Sequence, residues 1–351
     1  MDYENFKESF KEALQEDLYG KGIEARFDMK SVEKLNNEGY DAVTVTPADS
    51  NIGVTLNVEA FYKAHESGAS MDEVVSKASD TVIRGFDNQP SIDVASLMDY
   101  EQMKDKLIME VVSTEANADM LANVPHVEME DMSVVYRFVI DSNDDGRATI
   151  LATNNMIEAM GVTPEQLHED ALKNAPELKP AVITGMSEVM AEMMGMPTDP
   201  ADEQMFVATV PDKIHGAGVL AYQDFMDQAA ERVGGSFYIL PSSLHEVLLV
   251  PDNGQMNLQD LEAMVREVNA TQVAPEDKLT DNVYHYDAEA KVFELGEKFV
   301  EREAAKDSVE KSEEKSSVLG DLKAKKEEVA KQPKKDAVDK AVNKNKGGDA
   351  I

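Results

Sequence analysis

The chain has 351 residues, 42% of them hydrophobic, which is enough apolar material for one large folded core or two smaller ones. It carries 69 acidic and 34 basic residues, a net charge of −35, and this predicts that the body binds neither nucleic acid nor membrane directly. The lack of cysteine excludes disulfides, thiolate metal sites and cysteine nucleophiles. Because the chain also starts without a basic and apolar leader, we expect a cytoplasmic protein.

The first 120 residues are predicted to form an α+β region. Four large apolar residues recur at helical spacing near the start: Phe6, Phe10, Leu14 and Leu18. Gly20 then ends the predicted helix. Segments 42–46 and 54–58 are rich in β-branched residues and predict two strands. Ser70 and Glu73 form a capping box that predicts the start of another helix.

Residues 121–300 are predicted to form a domain that repeats a unit of strand, turn, strand and helix (ββα) three times. The predicted strand pairs are 134–140 with 148–151, 205–210 with 218–222, and 236–240 with 244–250. A last predicted hairpin joins 283–286 to 291–295. Strands joined by short turns pair antiparallel, so we expect an α+β fold of mainly antiparallel sheets covered by helices.

The last segment, 301–351, differs from the rest in charge and hydrophobicity. It carries 12 acidic and 13 basic residues, a net charge of +1, so that residues 1–300 carry −36. It also has few large apolar residues, and such a segment buries too little area to offset the entropy of ordering it. We therefore predict a disordered, charged C-terminal tail.

Three segments of the body, 237–247, 264–276 and 281–287, are similar to a known family. It is an uncharacterised bacterial family with a domain of unknown function, whose members are acidic cytoplasmic proteins often encoded on mobile elements. The resemblance covers residues 1–296 and is strongest over 134–287. It implies no particular activity, because the family has none assigned.

The densest group of potentially reactive side chains is Ser242, Ser243, His245 and Glu246. A hydroxyl, an imidazole and a carboxylate could supply the nucleophile, base and orienting group of a hydrolase. Neighbouring strand residues point to opposite faces, however, so only Ser243 and His245 would share one. No glycine elbow surrounds either serine. We therefore interpret the four residues as ligand or partner contacts and assign no catalytic residue.

No metal or cofactor is predicted. The six histidines are scattered, and none lies four residues from another. Segment 141–146 matches the opening of a calcium loop, but Ala152 takes the place of the bidentate glutamate and the flanks are predicted strands. A hairpin turn explains this segment better.

A cluster of methionines allows two interpretations. Its members are Met186, Met190, Met193, Met194 and Met196. Flexible thioethers can form an adaptable groove for a partner, and they fill irregular cores equally well. Core filling is the favoured interpretation.

Three hypotheses for function follow. The first is a non-enzymatic protein–protein interaction or regulatory protein with an unknown protein partner, such as an accessory protein of a mobile element. The second is an acidic mimic of nucleic acid that inhibits a DNA- or RNA-handling enzyme of the host. The third is a hydrolase that uses the region of His245. Absent catalytic motifs and the acidic surface favour the first.

Overall fold

The computed structural model describes residues 1–33, 35–37, 39–50, 52–88, 94–143, 146–195 and 203–306. Met1–Glu297 forms one compact unit. A second unit begins at Lys298 and is helical as far as residue 306. The remainder of the predicted tail, 307–351, lies outside the described residues.

The N-terminal part is a three-stranded antiparallel sheet with three helices. Its elements are α1 (Tyr3–Gly20), β1 (Ala25–Glu33), β2 (Gly39–Pro47), β3 (Val54–Asn57), α2 (Val58–Glu66) and α3 (Met71–Asp87). The four apolar residues predicted for the first helix are fully buried and pack with Val43 and Val45 of β2. The predicted capping box of Ser70 and Glu73 is confirmed at the start of α3. We call the cluster of buried apolar residues around Phe6, Phe10, Leu14 and Leu18 the N-terminal core.

The middle part is built around the long strand β6. Its elements are α4 (Val94–Leu97), α5 (Tyr100–Met103), β4 (Leu107–Ser113), α6 (Ala118–Leu121), β5 (His126–Met129), β6 (Met132–Asn143), β7 (Gly146–Leu151), α7 (Asn154–Met160) and α8 (Pro164–Leu178). β4 pairs with β6 over residues 132–138. β5 pairs with the first part of β6, residues 132–135, and β7 pairs with the later part, residues 137–143. β4, which the sequence groups with residues 1–120, thus belongs to the sheet of the following segment.

The last part of the unit is a six-stranded antiparallel sheet. Its elements are β8 (Val182–Gly185), α9 (Met186–Met194), β9 (Phe206–Thr209), α10 (Phe225–Val233), β10 (Phe237–Leu240), β11 (Val247–Pro251), α11 (Leu258–Thr271), β12 (Tyr284–Asp287) and β13 (Val292–Leu295). The strand order is β13, β12, β10, β11, β9, β8. Its buried side chains form one core with those of the β6 sheet. The predicted α+β fold with antiparallel sheets and helices is confirmed.

Two local predictions are wrong. Residues 218–221 of the predicted strand 218–222 instead belong to a 3-10 helix, Gly216–Ala221, that packs on β4. A short run of small apolar residues fits a buried helical turn as well as a strand, and Gly218 has no room for a side chain beside the backbone of Met109. The predicted strand 244–250 begins only at Val247, so Leu244 to Glu246 belong to the preceding connection.

The core-filling interpretation is also wrong for three members of the methionine cluster. α9 has no buried residue, and Met190, Met193 and Met194 are exposed. Met196 lies outside the described residues. α9 directly follows β8, an edge strand of the six-stranded sheet.

Candidate functional site

The predicted site residues Ser242, Ser243, His245 and Glu246 lie on the connection between β10 and β11. This connection is tied to the segment after α11, because Ser243 forms an isolated antiparallel bridge with Lys278. The backbone N–H of Leu244 also donates to the carbonyl oxygen of Asp277 at 2.8 Å. Glu246 is exposed, whereas the two serines and His245 are partly buried.

The contacts of His245 hold two loops together. Its Nδ1 accepts a hydrogen bond from the backbone N–H of His215 at 3.2 Å, and its Nε2 lies 3.2 Å from Oδ1 of Asp277. The Oγ of Ser243 accepts from the backbone N–H of His245 at 3.1 Å. Within the described ranges no hydroxyl hydrogen-bonds to the imidazole, so a serine–histidine pair for nucleophilic attack is not formed there.

The structure brings His215 next to His245, with ring centroids 5.5 Å apart. The backbone of His215 is left-handed, with φ 52° and ψ 38°, and Lys213 two residues earlier has φ 54°. Left-handed residues other than glycine are uncommon and are found preferentially where a neighbouring structure imposes them. The residues that follow His215 are closely packed, because a Cβ at Gly216 would overlap the carbonyl oxygen of His245 and one at Gly218 would lie 2.5 Å from that of Met109.

An ion pair between Glu110 and Arg137 lies next to His215. Glu110 of β4 is 3% exposed, and its Oε2 accepts from Nε of Arg137 on the neighbouring strand β6 at 2.7 Å. Nδ1 of His215 lies 3.7 Å from the same oxygen, which is beyond hydrogen-bond distance. Within the part of the chain that the structure describes, this Nδ1 is buried without a hydrogen-bond partner. A buried polar atom left in that state requires an explanation.

His215 is held in its neutral form. Burial lowers the pKa of its imidazole below 6.5, and the positive charges of Arg137 and Lys179 and the ring of His245 lower it further. The carboxylate of Glu110 acts in the opposite direction but does not outweigh burial. The ring is therefore uncharged at neutral pH and can gain a proton if the charge around it changes.

Next to His215 lies a cleft of about 790 Å³, which we call the main cleft. Asp119, Glu276 and Asp277 contribute carboxylates to its lining, and Arg137 and His215 also line it. Arg137 and His215 further line a side cavity of about 210 Å³, which Glu110 also lines. The two side chains therefore border both spaces. Volumes of several hundred Å³ are typical of ligand sites.

A third cleft, of about 670 Å³, is lined in part by Asn36, which connects several segments. The backbone N–H of Asn36 donates to Oδ1 of Asn117, and Nδ2 of Asn117 donates back to Oδ1 of Asn36. Nδ2 of Asn36 donates to the carbonyl oxygens of Pro275, Glu276 and Lys278. The N-terminal sheet is thereby fastened to the segment that carries Asp277.

The sequence does not identify His215, Glu110 or Arg137 as site residues. Two signals for them exist. Glu110 is a single carboxylate inside the apolar strand 107–112, where a buried charge needs a partner. His215 directly precedes Gly216, Ala217 and Gly218, small residues that allow close backbone contact. Neither signal reveals which residues of other strands complete the site.

No group of three or more histidine, aspartate or glutamate side chains that could hold a metal is found in the part of the chain that the structure describes. At the calcium-like segment 141–146, Asn143 and Gly146 are paired residues of β6 and β7. The two residues between them lie outside the described ranges. Among the described residues, no helix is long and apolar enough to cross a membrane.

Comparisons with known proteins identify a family and nothing more specific. No curated protein and no solved structure matches the chain. A family model described as a family of unknown function, DUF5688, matches residues 3–288. Those residues include every side chain of the main cleft and the side cavity. The chain therefore belongs to this family of unknown function, DUF5688.

Proposed function

We propose that this chain is a non-enzymatic protein–protein interaction protein that binds a basic segment of a partner protein in the main cleft. The observation that carries the proposal is the carboxylate lining of that cleft, Asp119, Glu276 and Asp277. These residues lie in a body whose residues 1–300 carry −36. A field of one sign attracts a partner of the opposite sign and speeds its association.

The size of the cleft limits the proposed ligand to a short segment. A volume of about 790 Å³ accommodates a few side chains rather than a folded surface. Contacts between partly exposed charges contribute only about 0.2–1 kcal/mol each. Affinity therefore needs several lysines or arginines, and it should weaken as salt screens them.

The contacts of His245 do not favour the hydrolase hypothesis, because both of its ring nitrogens already face a partner. Mimicry of nucleic acid stays a prediction, and it is a special case of the same proposal if the basic partner is a nucleic-acid-handling enzyme. Competition between duplex DNA and this chain for such an enzyme would test it. The bacterial, cytoplasmic and mobile-element context that the resemblance implies also stays a prediction.

Binding of short peptides tests the proposal. An acetylated and amidated peptide of six lysines, carrying a fluorophore, should bind in low salt, whereas the matching glutamate peptide should not. The variant Asp119→Asn/Glu276→Gln removes two carboxylates of the cleft and should weaken lysine-peptide binding about tenfold. The variant Glu8→Gln/Glu12→Gln is the control, because it removes the same charge from exposed positions of α1.

Two results would contradict the proposal. One is the absence of lysine-peptide binding to the unaltered chain. The other is an equal loss of affinity in both double variants, because it would show attraction to the overall charge and no role for the cleft.

A further inference from the structure

The innermost polar groups of the main cleft differ in charge from its carboxylates. Arg137 and His215 border the main cleft and the side cavity, and their side chains are 22% and 24% exposed. The Nε of Arg137 already donates a hydrogen bond to the carboxylate of Glu110. Among the described residues, no acceptor hydrogen-bonds to the two terminal amino groups of this guanidinium. Arg137 therefore keeps donors for a ligand that enters the cleft.

The charged groups closest to His215 form two pairs of opposite charge. Glu110 is paired with Arg137, and Lys179 lies 3.5 Å from Asp212. Of the other neighbours, His245 contacts the ring of His215 and is in turn next to Asp277. A negative charge added beside Arg137 would stabilise the protonated form of His215. A proton taken up from solvent by His215 would then offset the added charge.

We infer that Arg137 and His215 form a receptor for one carboxylate, and that the cleft takes the C-terminal carboxylate of a basic segment. The inference rests on the proposed function, since the acidic lining selects the basic part of the ligand. A guanidinium binds a carboxylate through two parallel hydrogen bonds, and such charge-assisted pairs are among the stronger ones in proteins. Capture of a chain terminus is a known mode of peptide recognition.

A carboxylate fits this site better than a phosphate does. One arginine has free donors here, and the three carboxylates of the cleft repel a dianion more strongly than a monoanion. The uncharged imidazole supplies one positive charge on protonation, which matches the single negative charge of a carboxylate. The backbone N–H of His215 donates to Nδ1 of His245, and the close packing of Gly216 and Gly218 holds this segment in place before the ligand arrives.

Two peptides of six lysines, one with a free C-terminus and one amidated, test the inference by isothermal titration calorimetry. The free acid should bind about tenfold more tightly, as one charge-assisted contact predicts. Titrations near pH 7.5 in two buffers with different ionisation enthalpies should show proton uptake for the free acid only.

Three variants assign the effect to residues. Arg137→Lys keeps a positive charge against Glu110 but loses the planar fork, and it should reduce the preference for the free acid to about twofold or less. His215→Asn suits a left-handed backbone and should abolish proton uptake. His168→Asn is the matched control, because burial also lowers the pKa of His168, which lies outside both cavities. Thermal unfolding of each variant establishes that it is folded.

Each outcome has a separate meaning. Equal binding of the amidated and free-acid peptides overturns the carboxylate receptor and leaves the proposed function intact. Absence of binding by both peptides overturns both. A preference for the free acid that persists in Arg137→Lys and His215→Asn also overturns the receptor, because the carboxylate then binds elsewhere.

Discussion

The N-terminal core and the main cleft are built from opposite kinds of residue. In the core, Phe6, Phe10, Leu14 and Leu18 are fully buried at regular helical spacing. Around the cleft, a buried carboxylate, a strained backbone and an unsatisfied imidazole nitrogen lie together. The first arrangement stabilises the fold through burial, whereas each feature of the second costs free energy. This difference is the reason to place the proposed function at the cleft.

The largest effect is expected from the N-terminal core. Phe10→Ala should lower the free energy of unfolding by about 3–5 kcal/mol, because it removes a fully buried ring and leaves a cavity. Urea denaturation followed by circular dichroism measures the loss. Tyr19→Ala is the control, since Tyr19 lies on the same helix and is 73% exposed. A loss below about 1 kcal/mol for Phe10→Ala would remove the contrast between the two regions.

The buried ion pair should give the next largest effect. Arg137→Met leaves the carboxylate of Glu110 buried without its partner, and it should cost about 3 kcal/mol. The double variant Glu110→Gln/Arg137→Met should regain most of this loss, because no charge is left buried. Urea denaturation of both variants provides the comparison. If the double variant is as unstable as the single one, packing rather than charge determines the loss.

Close backbone packing beside His215 should have a moderate effect. Gly218→Ala places a Cβ 2.5 Å from the carbonyl oxygen of Met109, and it should cost about 1–3 kcal/mol. Gly20→Ala is the control, because Gly20 has no atom within 4 Å of the added Cβ. The difference between the two melting temperatures measures the effect. Equal melting temperatures would show that the loop carrying His215 is not held by this contact.

The smallest effect concerns pH. The folded-state pKa of His215 lies below the unfolded value of 6.5, so the unfolded chain takes up a proton first as pH falls. The wild type therefore loses stability below about pH 6.5, by at most about 1.4 kcal/mol for each unit of pKa lowering. His215→Asn lacks this loss and should gain stability relative to the wild type as pH falls from 8 to 5. Urea unfolding across that range measures it, and parallel curves would contradict it.

Several elements could be predicted because their signals are local. The helix that carries Phe10, the capping box of Ser70 and the last hairpin, found as β12 and β13, all depend on neighbouring residues. The run 218–222 was predicted incorrectly because its small apolar residues favour no single conformation. The exposure of Met193 could not be predicted either, since burial depends on which elements lie beside α9.

The sequence by itself determined the α+β class, the antiparallel pairing and the acidic charge of this protein, because periodicity, turn residues and composition act over short distances or over the whole chain. It also directed attention to His245. Only the tertiary structure placed His215 beside that residue and Arg137 beside Glu110. These partners come from four separate segments, and the main cleft exists only where the packing of sheets and loops leaves space between them.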